Sequence, residues 1–122
     1  MDNLYSDILL DLYRHPLNKQ PLGKFDVHTK EANPTCGDEV EIFIKFDKKD
    51  KISNIGWQGE GCAISQTATS LLTDYVKGKK KQDIKKIDKD KILKMLGLEK
   101  INPTRMRCAL LSLQALNNAI NS

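Results

Sequence analysis

Three cysteines are spread along this chain in settings that suit chemistry. Cys36 stands in Asn33-Pro34-Thr35-Cys36-Gly37-Asp38, Cys62 in Gly59-Glu60-Gly61-Cys62-Ala63-Ile64-Ser65, and Cys108 in Arg105-Met106-Arg107-Cys108-Ala109-Leu110-Leu111. A thiolate is both a nucleophile and a soft metal ligand. Three thiolates with the Asp38 carboxylate make four ligands, a set that suits tetrahedral Zn²⁺ or one face of a small iron–sulfur cluster. Cys36 and Asp38 are two residues apart, so one tight turn through Gly37 can aim both inward. The carboxylate is the harder ligand of the four and the natural point of exchange. The 45 residues between Cys62 and Cys108 are too many for a local knuckle, so tertiary structure must build the site. Spacing alone also admits three unrelated buried cysteines acting as small apolar residues, because the chain has no CxxC pair.

The elements that position these groups follow from periodicity. Residues 2–14 read as a helix capped by Asp2 or Asn3, with Leu4, Tyr5, Ile8, Leu9 and Leu12 on one face. Pro16 ends it, and the turn-rich stretch from His15 to Gly23 is expected to run over the surface. Residues 25–32 suggest a first strand. Residues 39–46 alternate, with Val40, Ile42, Ile44 and Phe46 on one side. A polar turn leads to a second hairpin strand near 51–58, with Ile52, Ile55 and Trp57 inward. Cys62 then opens a helix to about Lys77, with Ile64, Ala68, Leu71, Leu72, Tyr75 and Val76 inward and Gly78 as its stop. A shorter helix begins near Asp88 or Asp90, buries Ile92, Leu93 and Leu96, and ends at Gly97. The last helix is expected from Arg105 to Ile120. The fold class is therefore α+β: a small antiparallel sheet of about three strands, packed with helices, in one domain over 1–122. Cys62 and Cys108 both fall in expected first helical turns, where the helix N-terminus favours the thiolate. Arg105 and Arg107 add positive charge beside Cys108.

Composition narrows the classes. A chain of 122 residues, 39% apolar and 30% charged, suits one globular domain. No apolar run approaches the about 20 residues of a membrane span. The start Met1-Asp2-Asn3 lacks a secretory pattern, and an odd cysteine count argues against a disulfide framework, so the expected setting is a reducing cytoplasm. The net charge of +4 is local: residues 77–94 hold nine Lys and three Asp, which leaves the rest near −2. That segment has no Arg and no aromatic residue for base stacking, so nucleic acid is not the expected partner. It reads as a solvated face or a patch for an acidic protein. His15 and His28 lie far from the cysteines in sequence and read as ordinary histidines. Trp57, Met95 and Met106 read as packing.

The three cysteine motifs, in this order and over nearly the whole chain, resemble the IscU/SufU/NifU N-terminal family of iron–sulfur cluster assembly proteins. The resemblance implies the α+β fold and a role as a scaffold. Such a scaffold accepts persulfide sulfur from a pyridoxal-phosphate cysteine desulfurase of the IscS/SufS type. It binds iron or a [2Fe–2S] cluster, or zinc at rest, and passes its cargo to apo-proteins or carriers. Cys36, Cys62 and Cys108 would receive sulfur and hold metal, with Cys36 favoured as first acceptor, and Asp38 would complete the site. Two branches are mixed here. IscU-type members carry His before the third cysteine, where this chain has Arg107. Zinc-dependent SufU-type sulfurtransferases carry a basic residue there, but also an insertion between the second and third cysteines that this chain lacks. The Leu-Pro-Pro-Val-Lys segment that IscU presents to a dedicated Hsp70 chaperone corresponds to Ile101-Asn102-Pro103-Thr104-Arg105. Only Pro103 is kept, which argues against that partnership. A purely structural zinc domain is the third possibility, and an exchangeable Asp38 ligand counts against it.

Overall fold

A computed structural model of the protein describes residues 3–34, 37–97 and 103–121, with the side chains of residues 3–6 and 8 outside that description. Helix α1 spans Asn3–Arg14, followed by strands β1 (Val27–Asn33), β2 (Asp38–Phe46) and β3 (Ile52–Glu60). Helices α2 (Ala63–Tyr75), α3 (Lys81–Ile84), α4 (Lys89–Leu96) and α5 (Pro103–Ile120) complete the chain. The α+β class is as expected: an antiparallel sheet in the order β1-β2-β3 with helices against it.

Alternation along β2 decides which face is covered. Val40, Ile42 and Ile44 are buried, and register sets Trp57 beside Ile42 and Ile55 beside Ile44. Asp38 shares their parity, so it opens the strand on the same face. Helices α2 and α5 pack against each other, α5 crosses β1 and β2, and α2 touches β3. The Thr29 hydroxyl of β1 donates to the Ala115 carbonyl of α5 at 2.8 Å. On the outer face, Phe43 is shielded by the rings of Phe25 and His28, at 5.3 and 4.8 Å. His28 pairs there with Glu41, an ordinary surface role.

Two expectations need correction and one needs extending. The first concerns α2, whose expected inner face was apolar. Ala68, Leu72 and Val76 are buried, but Tyr75 is 38% exposed, and Ser65, Gln66, Thr67, Thr69, Ser70 and Thr73 are buried instead. The helix is central, with α1, α4, α5 and β3 around it. Its polar groups are therefore bonded rather than solvated. Thr69 and Thr73 hydroxyls donate back to the carbonyls of Ser65 and Thr69, each at 2.7 Å.

The second concerns the stretch after α1, which runs over the surface as expected and is also pinned to the body of the protein. The Leu17 N–H donates to Ser70 Oγ at 3.2 Å, Asn18 Nδ2 to Thr73 Oγ1 at 3.1 Å, and Lys19 Nζ to Gln66 Oε1 at 2.7 Å. The Trp57 backbone N–H donates to the Asn18 carbonyl at 3.1 Å, and Trp57 Nε1 to the Leu17 carbonyl at 2.7 Å. This stretch covers the free edge of β3, a common protection against unwanted strand pairing. The approach is close enough that a Cβ on Gly56 would sit 2.2 Å from the Gln20 carbonyl oxygen.

The third concerns α5, which begins at Pro103, two residues before its expected start. Proline is well placed at the first helical position, where its missing N–H costs no bond. Cys108 therefore lies in the second turn, inside the helix and not at its end.

Candidate metal and sulfur site

Two elements and one cap bring the site together. Asp38 begins β2 and points from the helix-covered face. Cys62 is the N-cap residue of α2, extended at φ −74° and ψ 171°. Cys108 projects from α5. The Cys62 and Cys108 sulfurs and an Asp38 carboxylate oxygen all lie within 4.8 Å of one another. Asp38 is 4% exposed, Cys108 is 4% exposed, and Cys62 is half-buried. Cys36 lies outside the described residues, so the fourth member of the expected set has no geometry to report.

Local sequence explains the convergence. The Cys62 N–H donates to Asp38 Oδ1 at 3.2 Å, which ties the start of β2 to the start of α2. The carboxylate thus lies against a free N–H at a helix N-terminus, where negative charge is favoured. Gly61 makes the approach possible. A Cβ there would stand 2.9 Å from Asp38 Cγ and 2.3 Å from Ser65 Oγ. Gly59 serves the same junction, at φ +151°, where a Cβ would meet the Glu39 carbonyl at 2.2 Å. Ser65 is a residue that sequence reasoning passed over. Its hydroxyl donates to the Cys62 carbonyl at 3.1 Å and lies 3.9 Å from Cys62 Sγ. Its position three residues after an N-cap was the available signal, since such a residue turns back toward the cap.

The two arginines separate. Residues three apart share a helix face and consecutive ones do not. Arg105 is therefore the one on Cys108's side of α5. Arg107 is exposed and lines a groove of about 420 Å³ with Asn33, Pro34 and Leu110. Cys62 stands at the N-terminus of its helix, whereas Cys108 stands in the second turn of α5 and not the first.

The donor set fits a soft or borderline metal. Ligand atoms on a tetrahedral zinc lie about 3.5–3.8 Å apart, given bonds of about 2.0–2.3 Å. The observed 4.8 Å limit needs only a small contraction. Two sulfurs and one oxygen favour zinc or iron–sulfur species over magnesium or calcium, which prefer all-oxygen shells. No helix among the described residues is long and apolar enough to cross a membrane.

The sequence pattern of the NifU-like N terminal domain family matches residues 4–122. The chain is 31% identical to the zinc-dependent sulfurtransferase SufU of Bacillus subtilis (strain 168), over 98% of this chain and 91% of that one. It is 33% identical to the iron–sulfur cluster assembly scaffold protein IscU 1 of Archaeoglobus fulgidus, over 96% of this chain and 74% of that one. The SufU alignment runs over 137 positions against about 120 residues of this chain (98% of 122), whereas the IscU 1 alignment runs over 117 positions against about 117. Among solved structures, a candidate iron–sulfur cluster assembly scaffold for the SUF system from Fervidobacterium islandicum AW-1 superposes with a TM-score of 0.80. It is 27% identical, over 95% of this chain and 96% of that one.

Proposed function

We propose, since this chain belongs to the family of NifU-like N-terminal domains, that it is an iron–sulfur cluster assembly scaffold. It takes sulfur from a donor, which we assign as a cysteine desulfurase of the IscS/SufS type. It gathers iron and sulfide as cargo, in the form of a [2Fe–2S] cluster, and hands them to apo-proteins or carriers. The observation that carries this reading is the convergence of two thiols and one carboxylate within 4.8 Å. The alignment to an IscU scaffold, in which about 117 residues of this chain fill 117 positions, supports the same form.

Sulfur arrives by exchange. A thiolate of the scaffold attacks the outer sulfur of the donor's persulfide. One sulfur–sulfur bond forms as the donor's breaks, the donor leaves as a thiolate, and no net electron enters or leaves the pair. Cys108 is too buried to meet a macromolecular donor directly. Cys36 is the first acceptor in this proposal, and the open space around Gly37, at φ +77°, supports a turn that presents it. An external two-electron donor, such as excess thiol, then reduces the transferred sulfur to sulfide and frees the thiolate. Cys36, Cys62 and Cys108 hold the cargo, with Asp38 as the harder ligand that releases first. Arg105 supports bound sulfide through its place on the Cys108 face.

A second reading has its own observation. Arg107 stands where IscU-type members carry a histidine ligand, and a relative that shares 31% of its residues is a zinc-dependent sulfurtransferase. In that reading Cys36, Asp38, Cys62 and Cys108 hold a resident zinc, which keeps the thiols deprotonated. Anaerobic reconstitution with the organism's desulfurase, cysteine and ferrous iron separates the two. Equal iron and acid-labile sulfide, transferable to an apo-ferredoxin, is the expected result. A colourless protein that retains zinc while alanine release accelerates would replace it with the sulfurtransferase.

A further inference from the structure

The far end of α2 carries a feature that the metal site does not use. Between Lys77 and Lys94 lie nine lysines and three aspartates. Among the described residues, Lys77 alone of the nine meets a carboxylate at ion-pair distance, Asp74 at 3.4 Å. Of the aspartates, Asp88 is engaged as the N-cap of α4, where it accepts from the Lys91 N–H at 3.0 Å. The excess positive charge is therefore not neutralised within the fold.

The charges are fixed to the body of the protein. The Ile52 N–H donates to the Lys79 carbonyl at 3.0 Å, and the Gly78 N–H returns a bond to the Ile52 carbonyl at 2.9 Å. Ile84, Ile92 and Leu96 are fully buried beneath the segment. The ammonium groups of Lys79 and Lys91 lie over the Tyr75 ring, 4.5 and 4.7 Å from its centroid. Lys81 lies over Phe46 at 4.7 Å. Lysines held in this way have already lost part of the side-chain entropy that binding would otherwise cost. Beside them opens a cavity of about 500 Å³, lined by Tyr75, Lys86, Lys91 and Lys94, with Asp83, Asp88 and Asp90 in its wall.

We infer that this surface, made by the end of α2 with α3 and α4, docks an acidic protein partner. Charge complementarity sets the sign of the occupant. The three aspartates in the cavity wall set its class. A nucleic acid would bring a phosphate against them at every step, while a protein face rich in carboxylates also supplies donors to meet them. No Arg stands in the segment to pair with phosphate in fork geometry. The thirteen residues of α2 put this surface about 20 Å from Cys62. A partner held here leaves the thiol end open. The inference does not rest on the scaffold reading.

The test is fluorescence anisotropy on the full chain with three labelled probes. They are a short glutamate-rich peptide with interspersed leucines, a single-stranded DNA of equal charge, and vesicles of phosphatidylserine in phosphatidylcholine. The peptide is expected to bind most tightly. Its affinity should fall by about tenfold in the Lys86→Glu/Lys91→Glu/Lys94→Glu variant, the sum of three weak pairs. Lys86→Ala/Lys94→Ala changes only exposed side chains and should lower it by about threefold without altering the melting temperature. Cys62→Ser should bind the peptide as the parent does. Tighter binding of DNA or vesicles than of peptide overturns the proposal, as does peptide affinity that survives both lysine variants.

Discussion

The two ends of α2 are built on opposite plans. At the Cys62 end a carboxylate, two thiols and a serine hydroxyl crowd together with little exposure, and glycines make room for them. At the Val76 end the helix stops among exposed lysines, and Gly78 sits in open space at φ +80°. One end excludes water and concentrates ligands, while the other displays charge to water. The difference separates two demands on a small protein. Chemistry needs desolvated, closely spaced groups, whereas recognition at long range needs charge left unpaired.

The largest effect should come from Asp38→Ala. It removes a proposed ligand and leaves the Cys62 N–H without its acceptor. Zinc affinity, measured by competition with a chelating dye, is expected to drop more than about a hundredfold, beyond the range seen for outer-shell changes. Peptide binding at the lysine end should not move. If both fall together, the two ends are not separable.

A matched pair of glycine variants sharpens the contrast. Gly61→Ala should destabilise the protein by about 1–3 kcal/mol through overpacking, with metal affinity lost in parallel. Gly78→Ala meets no atom within 4 Å. Its cost is the left-handed backbone alone, about 1 kcal/mol, with metal affinity intact. Urea denaturation and zinc titration of both variants check this. Equal metal loss in the two would refute the steric account of Gly61.

In the middle of the helix, Ser70→Ala removes the acceptor for the Leu17 N–H and should cost about 1–2 kcal/mol in urea denaturation. Neither end should change its binding. The smallest effect lies off the helix altogether. Glu41 is held below its ordinary value of 4.5, first by the hydrogen bond from Gln58 and then by that from His28. A lowered folded-state value means that its contribution is present above pH 4.5 and is lost as the pH falls through that lower value. Glu41→Gln should flatten the acid limb of a stability profile slightly and leave neutral stability nearly unchanged.

Legibility varied with where each element finds its partners. Helix α4 could be read outright, because Asp88 caps it, Gly97 ends it in the left-handed region, and Ile92, Leu93 and Leu96 supply its buried side. The strands were equally plain, since Val40, Ile42 and Ile44 alternate. Spacing alone left the cysteines ungrouped, and the family resemblance of their flanks set Asp38, Cys62 and Cys108 together with Cys36; the structure brings the first three together. Helix α2 was opaque on one side. Its buried serines and threonines look like a solvent face until the chain near Leu17 arrives to bond them, and that partner lies more than 50 residues away. The start of α5 was misjudged because proline marks both breaks and first turns. Arg105 and Arg107 looked equivalent until the helix they share was known to include them.

The indole of Trp57 has a further use. It is the sole tryptophan of the chain, fully buried, with its N–H bonded to the Leu17 carbonyl and the Lys19 ammonium 5.2 Å from its ring centroid. The intrinsic fluorescence of this protein is therefore a gauge of one contact, the clasp between the chain after α1 and the edge of β3. Its emission will shift to the red when that clasp opens, whether or not the thiols some distance away have gained or lost their cargo.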